Sequence, residues 1–569
     1  MASNPKDFLT SLLSTRTNER VILEIDLDRG VLQSVPENPL QAVRAINSPT
    51  MGVLVESLRK ASADDRVAGL VVHIGSAPVA PTQVDELGRA IEEFGKHKPT
   101  VAYAESFGEL GSGMFAYRLA TSAKEIWVQP TGAVVLGGVH LEITLLRGAL
   151  DKLGVEPDFE KRYEYKTAAD QFQSHEVSEA NREMMQRIAD SIVDETVRVV
   201  AERRGIPAEQ VRDAVDVGFI RAAEAVTRKL VDRTGYRDEV YAAVRSAWGA
   251  EATLQYAARY SGTITTRLLE QLTRHKQPTV AVVSIHGGIV TGRGAPASPL
   301  GGKQAGSETV TGHLRAAVDD SDVVAVVLDI DSPGGSYIAS DTIRQTILKV
   351  REAGKPVVAS MGYVAASGGY FVAMPADEIV ALETTLTGSI GVFAGKMITE
   401  GLLDKLGIVR APINAGEFAD FMSSHQPWTD AQRAVVNAWL DEVYEDFTNK
   451  AAGDRHLPVE QLRELAKGRV WTGSDAKERG LVDHLGGREL AIQRATALAK
   501  VDRDAVQVKA FPALGLLDRL RPAESSDAPA GMTATPRPLT PEGLLKSAAL
   551  AAGISYNGVL SLPYAIRLG

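Results

Sequence analysis

Apolar residues in this chain gather into short runs separated by longer stretches of helical spacing, and the same order of runs occurs twice. Residues 21–26 and 280–285 each form an apolar strand that leads through a loop into a helix-like stretch. A buried-looking strand follows at residues 70–74 and again at 323–330. A second helical stretch, rich in Ala, Glu and Arg, ends both times in Lys-Pro. Pro99 and Pro356 then open strands over residues 100–104 and 357–360, because proline ends a helix and is tolerated where a strand begins. Strands alternating with helices of this length predict crossover units and mainly parallel sheet. Long helical regions over 178–204 and 429–453 come next. Ile206-Pro207 to Leu230-Val231-Asp232 then matches Leu457-Pro458 to Leu481-Val482-Asp483.

The repetition has a register. Leu-Asp-Lys-Leu-Gly stands at residues 150–154 and at 403–407, with Asp151 and Asp404 253 residues apart, and the same spacing carries Ala123, Glu125 and Ile126 onto Ala376, Glu378 and Ile379. Thr131-Gly132 lies 256 residues before Thr387-Gly388, a slip that a loop absorbs. The pattern divides the chain into an N-terminal segment (1–20), a first repeat (21–249), a connector (250–279), a second repeat (280–500) and a linker with a C-terminal docking segment (501–569). Phe8, Leu9, Leu12 and Leu13 have the spacing of a one-sided helix, read first as packed on its own domain and second as a membrane or partner contact. Residues 522–541 are rich in Ser, Ala, Thr and Pro and read as a flexible linker. Residues 544–568 regain hydrophobicity and read as a docking segment.

Composition narrows the function classes. The 569 residues are 44% hydrophobic and 24% charged, which is ordinary globular composition with length for more than one core. A net charge of −10 offers no basic field for a nucleic-acid backbone, so nucleic acid is not expected as a partner. Cysteine is absent, which excludes disulfides, thiolate nucleophiles and Cys-ligated zinc. No metal or cofactor is implied. No apolar run approaches the roughly 20 residues that span a bilayer, and the first 20 residues do not have the form of a signal peptide.

Differences between the repeats point to chemistry. Ser367, in Ala365-Ala366-Ser367-Gly368-Gly369-Tyr370, falls on Met114 of the first repeat, and Lys166, in Tyr165-Lys166-Thr167, falls on Ala419 of the second. One repeat has kept a hydroxyl and the other an amine, as a serine–lysine hydrolase divided between two lobes would. A lysine can serve as general base once burial or its neighbours lower its pKa. The ten histidines offer no persuasive base: His73 falls in a strand, and His97, His425 and His456 fall in polar turns or at helix ends. Ser112, in Gly111-Ser112-Gly113, is a rival nucleophile two residues out of register and reads as a loop serine. Asp331-Ser332-Pro333-Gly334-Gly335-Ser336 follows a strand and precedes a helix, and its glycines suit a turn whose N–H groups face an anion. A tight structural turn is the plain alternative. The first repeat, Gly75-Ser76-Ala77-Pro78, lacks the paired glycines. Ser389, in Thr387-Gly388-Ser389-Ile390-Gly391, could orient the amine without adding charge, or be a turn serine; Ala133 stands near this register in the first repeat.

Ser-Pro-Gly-Gly at 332–335, Ala-Ala-Ser-Gly-Gly-Tyr at 365–370, Leu-Thr-Gly-Ser-Ile-Gly at 386–391 and Tyr-Lys-Thr-Ala at 165–168 together resemble the signal peptide peptidase A (protease IV) family, serine peptidase family S49, in its long duplicated form. The resemblance implies an α/β fold of tandem duplicated ClpP/crotonase-like domains, with mainly parallel sheets and crossover helices. It implies Ser367 as nucleophile, Lys166 as general base and Ser389 orienting the lysine, with Gly334, Gly335 and Gly368 near the oxyanion and substrate backbone. It further implies a homotetramer degrading cleaved signal peptides and other small hydrophobic peptides. Long members usually carry an N-terminal membrane anchor, and none is read here, so a cytoplasmic or peripheral membrane location is expected. A crotonase-type acyl-CoA enzyme and a non-catalytic membrane-associated scaffold are the alternatives on the same fold.

Overall fold

The computed structural model describes residues 20–33, 48–75, 79–109, 111–260, 277–294, 303–511 and 560–561. The expected N-terminal helix, the Ser76-Ala77-Pro78 turn, most of the connector, the linker and most of the docking segment lie outside the described residues. The chain forms two compact units. Among the described residues, one comprises those from 20 to 140 with those from 192 to 260, and the other those from 141 to 191 with those from 277 to 561. The segment that carries Lys166, counted with the first repeat on sequence, thus belongs to the same unit as Ser367.

In the first unit, Arg233–Thr234, Glu125–Val128, Thr100–Ala104, Val67–His73, Val21–Asp26 and Thr253–Tyr256 lie side by side in that order, every pair parallel. The strands are rich in Val, Ile and Leu with no strict alternation, because helices cover both faces of a parallel sheet. Met51–Ser62 and Pro81–His97 supply crossovers, the second with proline at its first turn, where a missing N–H costs nothing.

The second unit repeats the core order as Glu378–Ala381, Val357–Ala366, Val323–Ser332, Thr279–His286 and Gln507–Ala510, again all parallel. Leu386–Gly388 also pairs with the Val357–Ala366 strand and is joined antiparallel by Val470–Thr472. Corresponding polar contacts fasten both units. The buried Tyr117 hydroxyl donates to the Leu230 carbonyl at 2.6 Å, and that of Tyr370 to the Leu481 carbonyl at 3.0 Å. Asp232 accepts the Ile126 N–H and Asp483 the Ile379 N–H, at 2.7 and 2.8 Å. The matched Leu-Val-Asp endings are therefore the same joint built twice.

Within the second unit, Glu156–Lys161 pairs antiparallel with Phe393–Ile398 over six residues. Phe159, Phe172 and Phe393 stack over this ribbon beside Val155 and Ala169. Gly395 makes the stacking feasible, since a Cβ there would lie 2.0 Å from the Phe159 ring. Arg433 binds both Asp158 (2.8 Å) and Glu160 (2.5 Å) from the helix Asp430–Asp454, and Asp158 also accepts the Trp428 N–H.

Candidate active site

Ser367 directly follows the ten-residue strand Val357–Ala366 and immediately precedes the short helix Gly368–Ala373. Its backbone has φ 55° and ψ −114°, a conformation that non-glycine residues rarely adopt and that persists only where surroundings enforce it. Those surroundings are visible. The Ser367 N–H donates to the Gly388 carbonyl at 2.8 Å, the Ser367 carbonyl accepts the Phe371 N–H at 2.9 Å, and Ala365 and Ala366 are fully buried beneath.

Lys166 follows the ribbon strand through a turn in which Tyr163 has φ 65° and the Thr167 N–H donates to the Tyr165 carbonyl. Its side chain is fully buried. The Nζ lies 2.8 Å from Ser367 Oγ, 3.0 Å from Ser389 Oγ and 3.2 Å from the Ser389 carbonyl oxygen. Burial disfavours the ammonium and holds the Lys166 pKa well below the ordinary lysine value. A neutral amine has two N–H bonds and one lone pair, so three oxygen neighbours match its capacity. Ser389, also fully buried and with φ 50°, is held by its N–H to the Arg469 carbonyl at 2.7 Å.

Gly334 and Gly335 form a short strand beside Ile289, with φ 98° and 155°. Both values favour glycine, and at Gly335 a Cβ would lie 2.1 Å from the Ile289 carbonyl oxygen. Gly368 packs against this turn so closely that a Cβ on it would lie 3.0 Å from both Gly334 Cα and Gly335 N. The Gly334 N–H donates to Ser332 Oγ at 3.2 Å, and Ser332 in turn donates to the Gly287 carbonyl. Leu560–Ser561 pairs antiparallel with Gly334–Gly335, so the turn presents an edge that takes an extended chain.

The structure brings Ser367, Lys166 and Ser389 into one hydrogen-bonded group and sets Gly334, Gly335 and Gly368 together. Ser112 is exposed in a loop of the first unit, where the Met114 N–H donates to it at 3.4 Å. Sequence reasoning missed the turn that backs the lysine. Gly468, with φ 83°, lies so near that a Cβ would be 2.5 Å from Lys166 N and 2.6 Å from its Cβ, while one on Gly391 would be 3.3 Å from Lys166 Cδ. The register of Pro207 on Pro458 aligns Gly468 with Val217, a difference of the same kind that singled out Ser367. Arg469 was missed too. It lies over the Tyr165 ring at 4.7 Å and binds Glu183, which also accepts the Tyr165 hydroxyl. In the first unit, Asp26, Asp28 and His73 bring ligand atoms within 4.8 Å of one another, but both His73 nitrogens already lie against carboxylates, of Asp26 and Glu105.

A duplicated parallel α/β fold with a buried serine hydroxyl against a buried amine defines a protein of the serine-hydrolase kind. Comparison with known proteins gives the family. The sequence model of peptidase family S49 matches residues 92–251 and 349–502, one segment in each repeat. The chain is 32% identical over 454 residues to serine protease SPPA, chloroplastic, of Arabidopsis thaliana, a match covering 79% of this chain and 65% of the plant protein. It is 31% identical over 461 residues to Protease 4 of Salmonella typhi, covering 79% of this chain and 72% of that protein. Among solved structures, a ClpP1 mutant from Listeria monocytogenes aligns with a TM-score of 0.24 at 17% identity, over 40% of this chain and 99% of that one. The chain belongs to peptidase family S49, a family of serine peptidases. No helix of the described residues is long and apolar enough to cross a membrane.

Proposed function

We propose that the protein is a serine endopeptidase in which Lys166 and Ser367 form a catalytic dyad. The observation that carries this reading is the 2.8 Å approach of Lys166 Nζ to Ser367 Oγ with both side chains fully buried. The neutral amine takes the Oγ proton as Oγ bonds to the scissile carbonyl carbon, and the carbonyl electrons move onto oxygen. Ser389 holds the amine through its hydroxyl and carbonyl oxygens. Because the Gly334 N–H is committed to Ser332, Gly335 and Gly368 are the amides we assign to the oxyanion, with Gly334 shaping the turn. Collapse of the tetrahedral adduct breaks the C–N bond, and the Lys166 ammonium gives its proton to the departing amine. Water then attacks the ester, losing a proton to Lys166, and the acid is released as Ser367 recovers its own. Lys166→Ala tests the dyad: a folded variant retaining wild-type peptidase activity would refute it.

The substrates fit extended, small or apolar peptides, cleaved signal peptides among them. The pairing of Leu560–Ser561 with the glycine edge supports a main chain bound as an added strand. We further propose a homotetramer with peripheral membrane contact. In the repeat register, residues 409–414 correspond to the Glu156–Lys161 strand, yet Val409 and Ile413 are 88% and 96% exposed. A second copy that covered them would remove an apolar edge from water, as the ribbon does for Phe159.

A further inference from the structure

The strand that leads into Ser367 is irregular just before it reaches the site. Ile330 pairs with Met361 and Ser332 with Ala365, so the serine strand advances four residues while its partner advances two. Gly362, Tyr363 and Val364 stand opposite Asp331 alone. A bulge of this kind interrupts the ladder and leaves main-chain groups that must find partners elsewhere. Two side chains supply them. Asp331 Oδ1 accepts the Val364 N–H at 3.1 Å, and the buried Thr385 hydroxyl donates to the Gly362 carbonyl at 2.7 Å. The Asp331 main chain is itself fixed, its carbonyl accepting the Gly287 N–H at 2.8 Å. On the other side of the strand, Val364, the last residue of the bulge, pairs with Leu386, Ala365 and Ala366 pair with Thr387 and Gly388, and Ser367 follows.

The first repeat lacks both the aspartate and the serine. There the described ladder runs from Leu70 opposite Thr100 to His73 opposite Tyr103 and ends short of the position that the bulge takes in the second repeat. The strand stops at Ala104, and Met114 occupies the serine position. Gly75 stands where the second repeat has Asp331, 256 residues on. It has φ 64°, and a Cβ on it would lie 2.3 Å from Asp28 Oδ1. Aspartate and serine are present together in one copy and absent together from the other.

We infer that Asp331 is a positioning residue for Ser367, its carboxylate clamping the bulge that sets how far the serine strand reaches toward Lys166. Without an acceptor for the Val364 N–H the bulge rearranges, and the 2.8 Å contact between Ser367 and Lys166 is lost. The inference rests on Ser367 being the nucleophile, which fluorophosphonate labelling of the wild-type serine tests by itself. The clamp is tested by kcat and KM on a peptide substrate, with thermal unfolding, for Asp331→Ala, Asp331→Asn and Thr385→Val. Misplacing a reacting group by about an ångström costs on the order of 100-fold, so Asp331→Ala should lose about 10- to 100-fold in kcat with KM within about twofold. Asp331→Asn keeps an oxygen for Val364 and should stay within about threefold of wild type. A folded Asp331→Ala protein with wild-type kcat would overturn the inference, as would Asp331→Asn falling as far as the alanine variant. Should Asp331→Ala not fold, Thr385→Val releases the other side of the same bulge. Loss of kcat at unchanged KM supports the clamp there, and wild-type kcat overturns it.

Discussion

Burial holds the Lys166 pKa well below the ordinary lysine value, and that single cause bears both on its proposed role as base and on its cost to the fold. In the unfolded chain a lysine titrates at about 10.4, whereas in the folded chain the value is lower. Between the two pKa values folding releases a proton, so the fold loses stability as pH falls toward the folded value. Lys166→Met should therefore raise the melting temperature, by more at pH 6 than at pH 9, in thermal melts followed by circular dichroism. The loss of stability that it relieves grows by at most about 1.4 kcal/mol per pH unit. The same shift sets activity: the rising limb of kcat/KM should lie well below the ordinary lysine range, in a pH–rate profile of the wild type. Lys166→Ala should lower kcat by about 1,000-fold or more, as loss of a base does in serine hydrolases generally.

The lysine is delivered by an antiparallel ribbon and backed by a tight turn, two elements with different tolerances. The ribbon spreads its hold over six paired residues, three phenylalanines and the Arg433 ion pairs, so no single contact carries it. The turn at Gly468 has no such redundancy. Gly468→Ala would force a methyl group into the Lys166 backbone and impose an unfavourable φ, moving the amine away from Ser367. We expect about 100-fold lower kcat and an equally slowed fluorophosphonate reaction in a protein that still folds, measured by rapid-quench labelling.

Two features act over the whole molecule. If the exposed Val409 and Ile413 meet another copy, Val409→Glu with Ile413→Glu should lower the molar mass in solution, read by light scattering, with the far-ultraviolet spectrum unchanged. The Leu560–Ser561 strand occupies the glycine edge that substrate would use. A chain ending at residue 559 should then show KM lowered by about two- to tenfold, with kcat unchanged, because the competing strand is tethered at high effective concentration. An unchanged KM would mean that the two strands do not compete.

Strand and helix order, the parallel sheets and the candidate residues were legible in the sequence because burial on both faces writes itself as apolar runs and duplication marks what differs. Pro99 and Pro356 fixed two strand starts, and the exchange of Ser367 for Met114 and Lys166 for Ala419 picked out two side chains among many. The bulge at 362–364, the backing by Gly468, and the compact unit that takes residues 141–191 from one repeat and packs them with the other were not legible. Each depends on groups hundreds of residues apart in the chain or on main-chain geometry that composition does not encode. Sequence by itself determined which residues could react. Tertiary structure decided that a lysine from the first repeat is dry and 2.8 Å from a serine of the second, because only packing removes water and sets distance.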